Sequence, residues 1–343
     1  MSMIRVLVVD DSLFIRTLLR DMLKDDPGIE VVGTAVNGID ALEKIRTLSP
    51  DVVTLDIEMP RMSGLEVLGA LKDAEQRPKV IVLSTLTSRH ADMTHKALQL
   101  GADDFMLKPR DIHQVRGVER ELVEKIKSLV RVPVFSGISS VSEEDAEVVV
   151  LIGSSAGGPH MLDQVLSGLR SDIRAAVIVT QHMPEGFTAP LAERLNRVSP
   201  LHVKETENGE VLKNGTAVVS KAGFHSIISA VPGKMGRNHG RIVHSKAPQV
   251  HAVRPAVDKT FVSAANVFGP RVVSVLLSGM GHDGGEGTLA VKAAGGVTMV
   301  CAEDDCLVYG MARSALSRSC VDRVVPLKGI AREITKALEE VDR

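Results

Sequence analysis

Residues 147–160 read EVVVLIGSSAGGPH, an apolar β-branched run that stops at a turn of glycines and serines and leads into the helix-like MLDQVLSGLR. A run with no polar face predicts a strand buried on both sides, as in a parallel sheet, feeding a helix. In the turn, Gly153, Ser155 and Gly157 have the G-x-S-x-G spacing. Flanking glycines there permit a sharp strand-to-helix turn that lifts one serine hydroxyl, that of Ser155, clear of the sheet. Backbone N–H groups at the start of the helix would face the same spot and could stabilise an oxyanion. One loop would then supply a nucleophile and half an oxyanion hole. A glycine turn with a serine helix cap produces the same letters, so the choice rests on the remaining chain. A dinucleotide fingerprint or P-loop fits less well, because G-x-G-x-x-G and the P-loop lysine are absent from this turn.

At 343 residues the chain has room for two domains, each with its own core. A net charge of -2 without a Lys/Arg cluster excludes a global nucleic-acid footprint, and the absence of Trp removes the usual stacking platforms. Cys301, Cys306 and Cys320 form neither a CxxC pair nor a disulfide framework. The reducing cytosol is therefore the expected location. The start MSMIRVLVVDDS reads as neither signal peptide nor anchor, so no membrane insertion is expected.

From residue 1 to 127, strand-like runs IRVLVV, GIEVVGTA, DVVTLD, KVIVLS and DDFMLK alternate with helix-like stretches such as SLFIRTLLRDMLKD and TSRHADMTHKALQLG. That alternation predicts a doubly wound parallel sheet with its crevice at the carboxyl ends of the strands. Polar residues collect there: Asp10 and Asp11 after the first strand, Asp56 ending the third, Ser84 the fourth and Lys108 the fifth. Asp11 also stands where it could cap the first helix. Three carboxylates at one edge repel unless a cation joins them, and hard oxygen donors suit Mg²⁺. A lysine and a hydroxyl beside that cation are what a transferring phosphoryl group needs.

Residues 128–146, with a proline, a glycine, several serines and an acidic run, read as a linker. From 147 to 343 a second α/β alternation follows. AAVIVTQHMP is a strand closing on Gln181 and His182, and RVVSVLLSGMGHDGG closes on a glycine loop holding Asp283. If these strands are parallel neighbours of the first, Ser155, His182 and Asp283 gather at one edge as nucleophile, base and orienting carboxylate. His160, His225, His251 and His282 are loop-like rivals for the base. The α/β alternation predicts a second doubly wound, Rossmann-like sheet, and the order Ser, His, Asp, which differs from the Ser, Asp, His order of α/β-hydrolases, points to a different fold with the same chemistry.

Residues 1–127 resemble a response-regulator receiver domain of flavodoxin-like fold through VVDDS, the D-x-x-M-P-x-M-x-G run from Asp56 to Gly64, Ser84 and Lys108-Pro109. The resemblance implies that Asp56 is the phosphoacceptor, that Asp10 and Asp11 hold Mg²⁺ with it, and that Lys108 pairs with the phosphoryl oxygens. It further implies that Ser84 and Phe105 move with the switch and that Lys108-Pro109 is a cis peptide. Residues 147 to about 341 resemble the catalytic domain of the chemotaxis protein-glutamate methylesterases, the CheB type. The motifs are IGSSAGG, QHMPEGF, VRPAVD at 253–258 and LSGMGHDGG.

By that second resemblance the catalytic set falls on Ser155, His182 and Asp283, with the backbone N–H of Met280 near the oxyanion and Ala156 next to the nucleophile. Ala156 stands where the family usually has threonine, His282 where it has asparagine, and Cys301 and Ala312 where it has Gln and Pro. The implied activity is hydrolysis of glutamyl methyl esters on methyl-accepting chemoreceptors, with glutamine deamidation beside it. A chemotaxis histidine kinase is the implied phosphodonor, and the hydrolase step is expected to need no cofactor. Rival readings are a receiver with an inactive, partner-binding output domain, a dinucleotide-dependent oxidoreductase, and a DNA-binding effector.

Overall fold

The alternating runs become two stacks of parallel strands. The computed structural model describes residues 3–72, 74, 77–84, 93, 96–97, 100–108, 115–131, 143–233 and 237–341. The chain divides into two units, residues 1–132 and 133–343. The first unit holds β1 (Ile4–Val9), α1 (Leu13–Lys24), β2 (Ile29–Ala35), α2 (Gly38–Leu48), β3 (Val52–Asp56), α3 (Gly64–Leu71), β4 (Lys79–Ser84), β5 (Asp104–Leu107) and α4 (Val115–Arg131). Its strands are all parallel in the order β2-β1-β3-β4-β5. Side chains alternate across the sheet as the pleat requires. Leu7 and Val9 pack with Val53, Leu55 and Val82 on one face, while Val6 and Val8 pack with Leu19, Leu23 and Leu122 on the other.

One local detail differs from the sequence reading. The cap of α1 is Ser12, whose hydroxyl accepts from the Ile15 N–H at 3.4 Å, and not Asp11. Helix α4 runs to Arg131, with Ile126 and Leu129 facing the core. At the other end of the expected linker, the Ala146 N–H donates to the Leu212 carbonyl at 2.9 Å and Lys213 pairs with Asp145 at 2.6 Å. The stretch TSRHADMTHKALQLG, expected as a helix, lies largely outside the described residues.

The second unit holds β6 (Val149–Ser154), α5 (Gly158–Ser167), β7 (Ala176–Gln181), α6 (Thr188–Val198), β8 (His202–Glu205), β9 (Thr216–Val219), β10 (His225–Pro232), β11 (Asn238–Ser245) and α7 (Val257–Phe268). It continues with β12 (Val272–Leu276), α8 (Gly285–Ala293), β13 (Val297–Cys301), α9 (Gly310–Ser317), β14 (Arg323–Val325) and α10 (Ile330–Val341). Seven strands form one parallel sheet in the order β14-β13-β12-β6-β7-β9-β8. Val150 and Ile152 of β6 enter one core and Val149 and Leu151 the other, so the strand has no wet face. The antiparallel hairpin of β10 and β11 was not anticipated. It packs Ile228 and Ile242 against Phe261 and Phe268 of α7.

After β6 the chain builds outward through β7, and from β12 it builds the other way. This reversal opens a crevice at the carboxyl ends of β6, β7 and β12. In the first unit the equivalent reversal lies between β1 and β3. Among the described residues no helix is long and apolar enough to cross a membrane.

Candidate active site

Parallel register puts Ser154 opposite Gln181 and Gly153 opposite Leu276. One residue further on, Ser155 and His182 leave the sheet side by side. The His182 N–H donates to the Ser154 carbonyl at 3.0 Å and the Ser155 N–H to the Ser278 carbonyl at 2.9 Å. The glycines of the turn are imposed by packing. A Cβ on Gly153 would lie 2.6 Å from a Val257 methyl, and one on Gly158 would lie 2.1 Å from Gln181 Oε1. Gly157 has φ +79°, in the region that favours glycine.

Gln181 ties the turn to the neighbouring strand end. Its Oε1 accepts from the Ser154 hydroxyl at 2.6 Å, and its Nε2 donates to the carbonyls of Ser155 and His182 at 2.9 and 3.0 Å. His182 Nε2 lies 2.7 Å from Asp283 Oδ2. That carboxylate also accepts from the N–H groups of Val257 at 2.7 Å, Asp258 at 2.9 Å and Gly284 at 3.0 Å. Burial pushes the Asp283 carboxyl up, but the His182 and backbone hydrogen bonds outweigh it and hold it below the usual carboxylate range. With Asp283 ionised, Nε2 of His182 is the donor and the ring's lone pair is on Nδ1. Among the described residues no hydrogen bond joins the Ser155 hydroxyl to His182; such bonds are often long before substrate binds.

The loop after β12 passes against the serine, where a Cβ on Gly279 would lie 3.0 Å from Ser155 Cβ. Ser278 Oγ donates to the Ala156 carbonyl at 2.6 Å and accepts from the Val308 N–H at 3.0 Å, bracing the serine turn from the far side. Met280 follows and is 75% exposed.

In the first unit, Lys108 Nζ stands 2.7 Å from both Asp10 Oδ2 and Asp56 Oδ2. Asp10, Asp11 and Asp56 offer oxygens within 4.8 Å of one another. Burial pushes the Asp56 carboxyl up to about 6, against the opposing pull of Lys108. A set of three carboxylates, two of them buried and outnumbering the one ammonium, fits a hard divalent cation such as Mg²⁺. Gly64 of the D-x-x-M-P-x-M-x-G run has a steric reason: a Cβ there would lie 2.2 Å from the Asp56 carbonyl oxygen. Ser84 ends β4, but its side chain and the Lys108-Pro109 peptide lie outside the described residues. Phe105 lies half-buried on β5, with Lys125 Nζ 5.8 Å from its ring centre.

Family models match both units: CheB methylesterase over residues 150–334 and response regulator receiver domain over residues 6–118. The chain belongs to the CheB methylesterase family. It is 59% identical to protein-glutamate methylesterase/protein-glutamine glutaminase 1 of Methanospirillum hungatei JF-1, over 99% of this chain and 100% of that one. It is 39% identical to protein-glutamate methylesterase/protein-glutamine glutaminase of Pyrococcus horikoshii, over 98% and 94%. The crystal structure of the Thermotoga maritima CheB methylesterase catalytic domain is similar to the second unit, at 36% identity and a TM-score of 0.52, covering 56% of this chain and 98% of that one.

Within the CheB methylesterase unit the rival histidines separate by position. His160 lies on α5 and His225 opens β10, so neither is in a loop. His225 is buried, accepting at Nδ1 from the Ala256 N–H and donating from Nε2 to the Pro248 carbonyl. His251 bonds Asp258, and His282 sets its ring edge-on to that of His251 with centroids 4.2 Å apart. Among the described residues His182 alone of these bonds Asp283. Arg254 donates to the carbonyls of Lys246 and Ala247 and so holds its own loop. Cys301 and Ala312 are buried. Sequence reasoning gave no role to Gln181, Ser278 or Asp258. The signal for Gln181 was a large amide at the end of a strand that is apolar up to Thr180, where burial obliges it to find partners.

Proposed function

We propose that this chain is a phosphorylation-controlled protein-glutamate methylesterase, with protein-glutamine glutaminase activity at the same site, acting on methyl-accepting chemoreceptors in the cytoplasm. The observation that carries the chemistry is the 2.7 Å His182–Asp283 bond at the strand end beside Ser155. Ser155 Oγ attacks the γ-carbonyl carbon of the glutamyl ester while His182 Nδ1 takes its proton. The N–H groups of Ala156 and Met280, which donate no hydrogen bond among the described residues, hold the oxyanion. His182 returns the proton to the departing methoxide, giving methanol and an acyl-serine. Water, deprotonated by His182, then releases glutamate and restores Ser155. From an amide the leaving group is ammonia.

Control enters at residues 1–127. Asp56 accepts the phosphoryl group from a histidine kinase, Lys108 pairs with its oxygens, and Ser84 and Phe105 respond to it. Asp10, Asp11 and Asp56 are the residues to hold Mg²⁺, which when bound neutralises charge on the transferring phosphoryl group. Residues 147–343 carry the hydrolase.

Methanol release from methylated receptor tests the reading. Ser155→Ala should lower it by a factor of about 10³ or more, while Ser154→Ala, which loses only the bond to Gln181, keeps most of it. Asp56→Asn should abolish the response to a small phosphodonor without removing basal turnover. Methanol release by Ser155→Ala at the parental rate would refute the mechanism.

A further inference from the structure

Helices α7 and α8 cap each other. Neither has a side-chain cap of its own. Asp283, just ahead of α8, accepts from the first N–H groups of α7, those of Val257 and Asp258. Asp258, on α7, accepts through Oδ1 from Gly284 and Gly287 in the first turn of α8, at 2.9 and 2.7 Å. The Gly284 N–H is shared by the Oδ1 atoms of both carboxylates. Each carboxylate then presents Oδ2 to a histidine: His182 on Asp283 at 2.7 Å, and His251 on Asp258 at 3.0 Å.

The second pair is held at some cost. His251 and Ala252 have φ of +54° and +62°, in the left-handed region that non-glycine residues avoid. Their turn is closed by two hydrogen bonds between Val250 and Val253. That conformation coincides with the His251 ring meeting Asp258 on one side and the His282 ring on the other. Burial, joined by the charge of Asp283, pushes the Asp258 carboxyl up, and the His251 hydrogen bond opposes that push.

We propose that His251 is a positioning residue for the reaction at Ser155. Its N–H holds Asp258 Oδ2, Asp258 Oδ1 holds the first turn of α8, and that turn carries Asp283 to His182. The inference rests on the Ser155, His182 and Asp283 reading above.

The test uses the full-length protein as parent, His251→Ala, His251→Gln and Ser155→Ala. Turnover on methylated receptor, the labelling rate of Ser155 by a fluorophosphonate and the melting temperature are measured for each. His251→Ala should lower kcat and the labelling rate about tenfold with KM within about twofold, and His251→Gln, which keeps an N–H donor, should recover at least half of the loss. Three results overturn the proposal: parental kcat and labelling in His251→Ala, equal losses in both His251 variants, or a loss that merely follows a lowered melting temperature. Turnover that survives in Ser155→Ala removes the underlying mechanism instead, whatever His251 does.

Discussion

His182 and His282 both border Asp283, one across space and one along the chain, yet only the first bonds it. Chain adjacency favours His282, whose ring is directed at His251. Strand register favours His182, because the residue after Gln181 leaves the sheet beside Ser155. His182→Ala should therefore cost about 10³-fold or more in methanol release, as loss of a catalytic base does. His282→Asn should stay within a few-fold of the parent. A collapse confined to His282→Asn would reassign the base. Pattern alone leaves the proposed base as one histidine among several, since a single histidine carries no periodic signature; the QHMPEGF motif of the family resemblance is what singles out His182.

At the scale of elements, the decisive piece is the turn between β6 and α5. Its G-x-S-x-G spacing can be read directly, but the reason for the glycine that follows it cannot. Gly158 faces Gln181 Oε1, and Gln181 in turn holds the carbonyls of Ser155 and His182. Gly158→Ala should push that amide aside and lower kcat about ten- to a hundred-fold while circular dichroism reports an intact fold. Parental kcat in Gly158→Ala would show that Gln181 can yield without moving the serine. Strands β1 to β7 and β12 were legible as short, largely apolar runs with polar stops, whereas β8, HVKE, is too short and polar to announce itself. The β10–β11 hairpin was not legible either. HSIISAVP sets two isoleucines side by side, and only Ile228 is buried, against α7, which breaks the alternation that announces a strand.

In each of the two units a parallel sheet reverses its winding, and the proposed phosphoacceptor and nucleophile, Asp56 and Ser155, stand at strand ends beside that reversal. Polar letters at the ends of apolar runs therefore exposed both Asp56 and Ser155, while contacts closed between helix starts left no trace in the local pattern. The reciprocal caps of α7 and α8 are the clearest case, joining residues 25 and 29 positions apart through backbone groups that any sequence possesses. They also determine how acid enters this unit. Asp258 is held above the usual carboxylate range and Asp283 below it. On acidification Asp258 takes its proton first. The stability contributed by Asp283 is present above the unfolded carboxylate value of about 3.9 and is lost as pH falls through its lower folded value. A raised folded value means that protonating Asp258 relieves the fold instead of weakening it, so the seam between the two helices should let go only when Asp283 takes up its proton. Amide protection at Val257, bonded through Asp283, and at Gly287, bonded through Asp258, should therefore survive the first protonation and fall together below the unfolded carboxylate value. Loss at Gly287 well ahead of Val257 would mean that the ionised form of Asp258 is what fastens the start of α8.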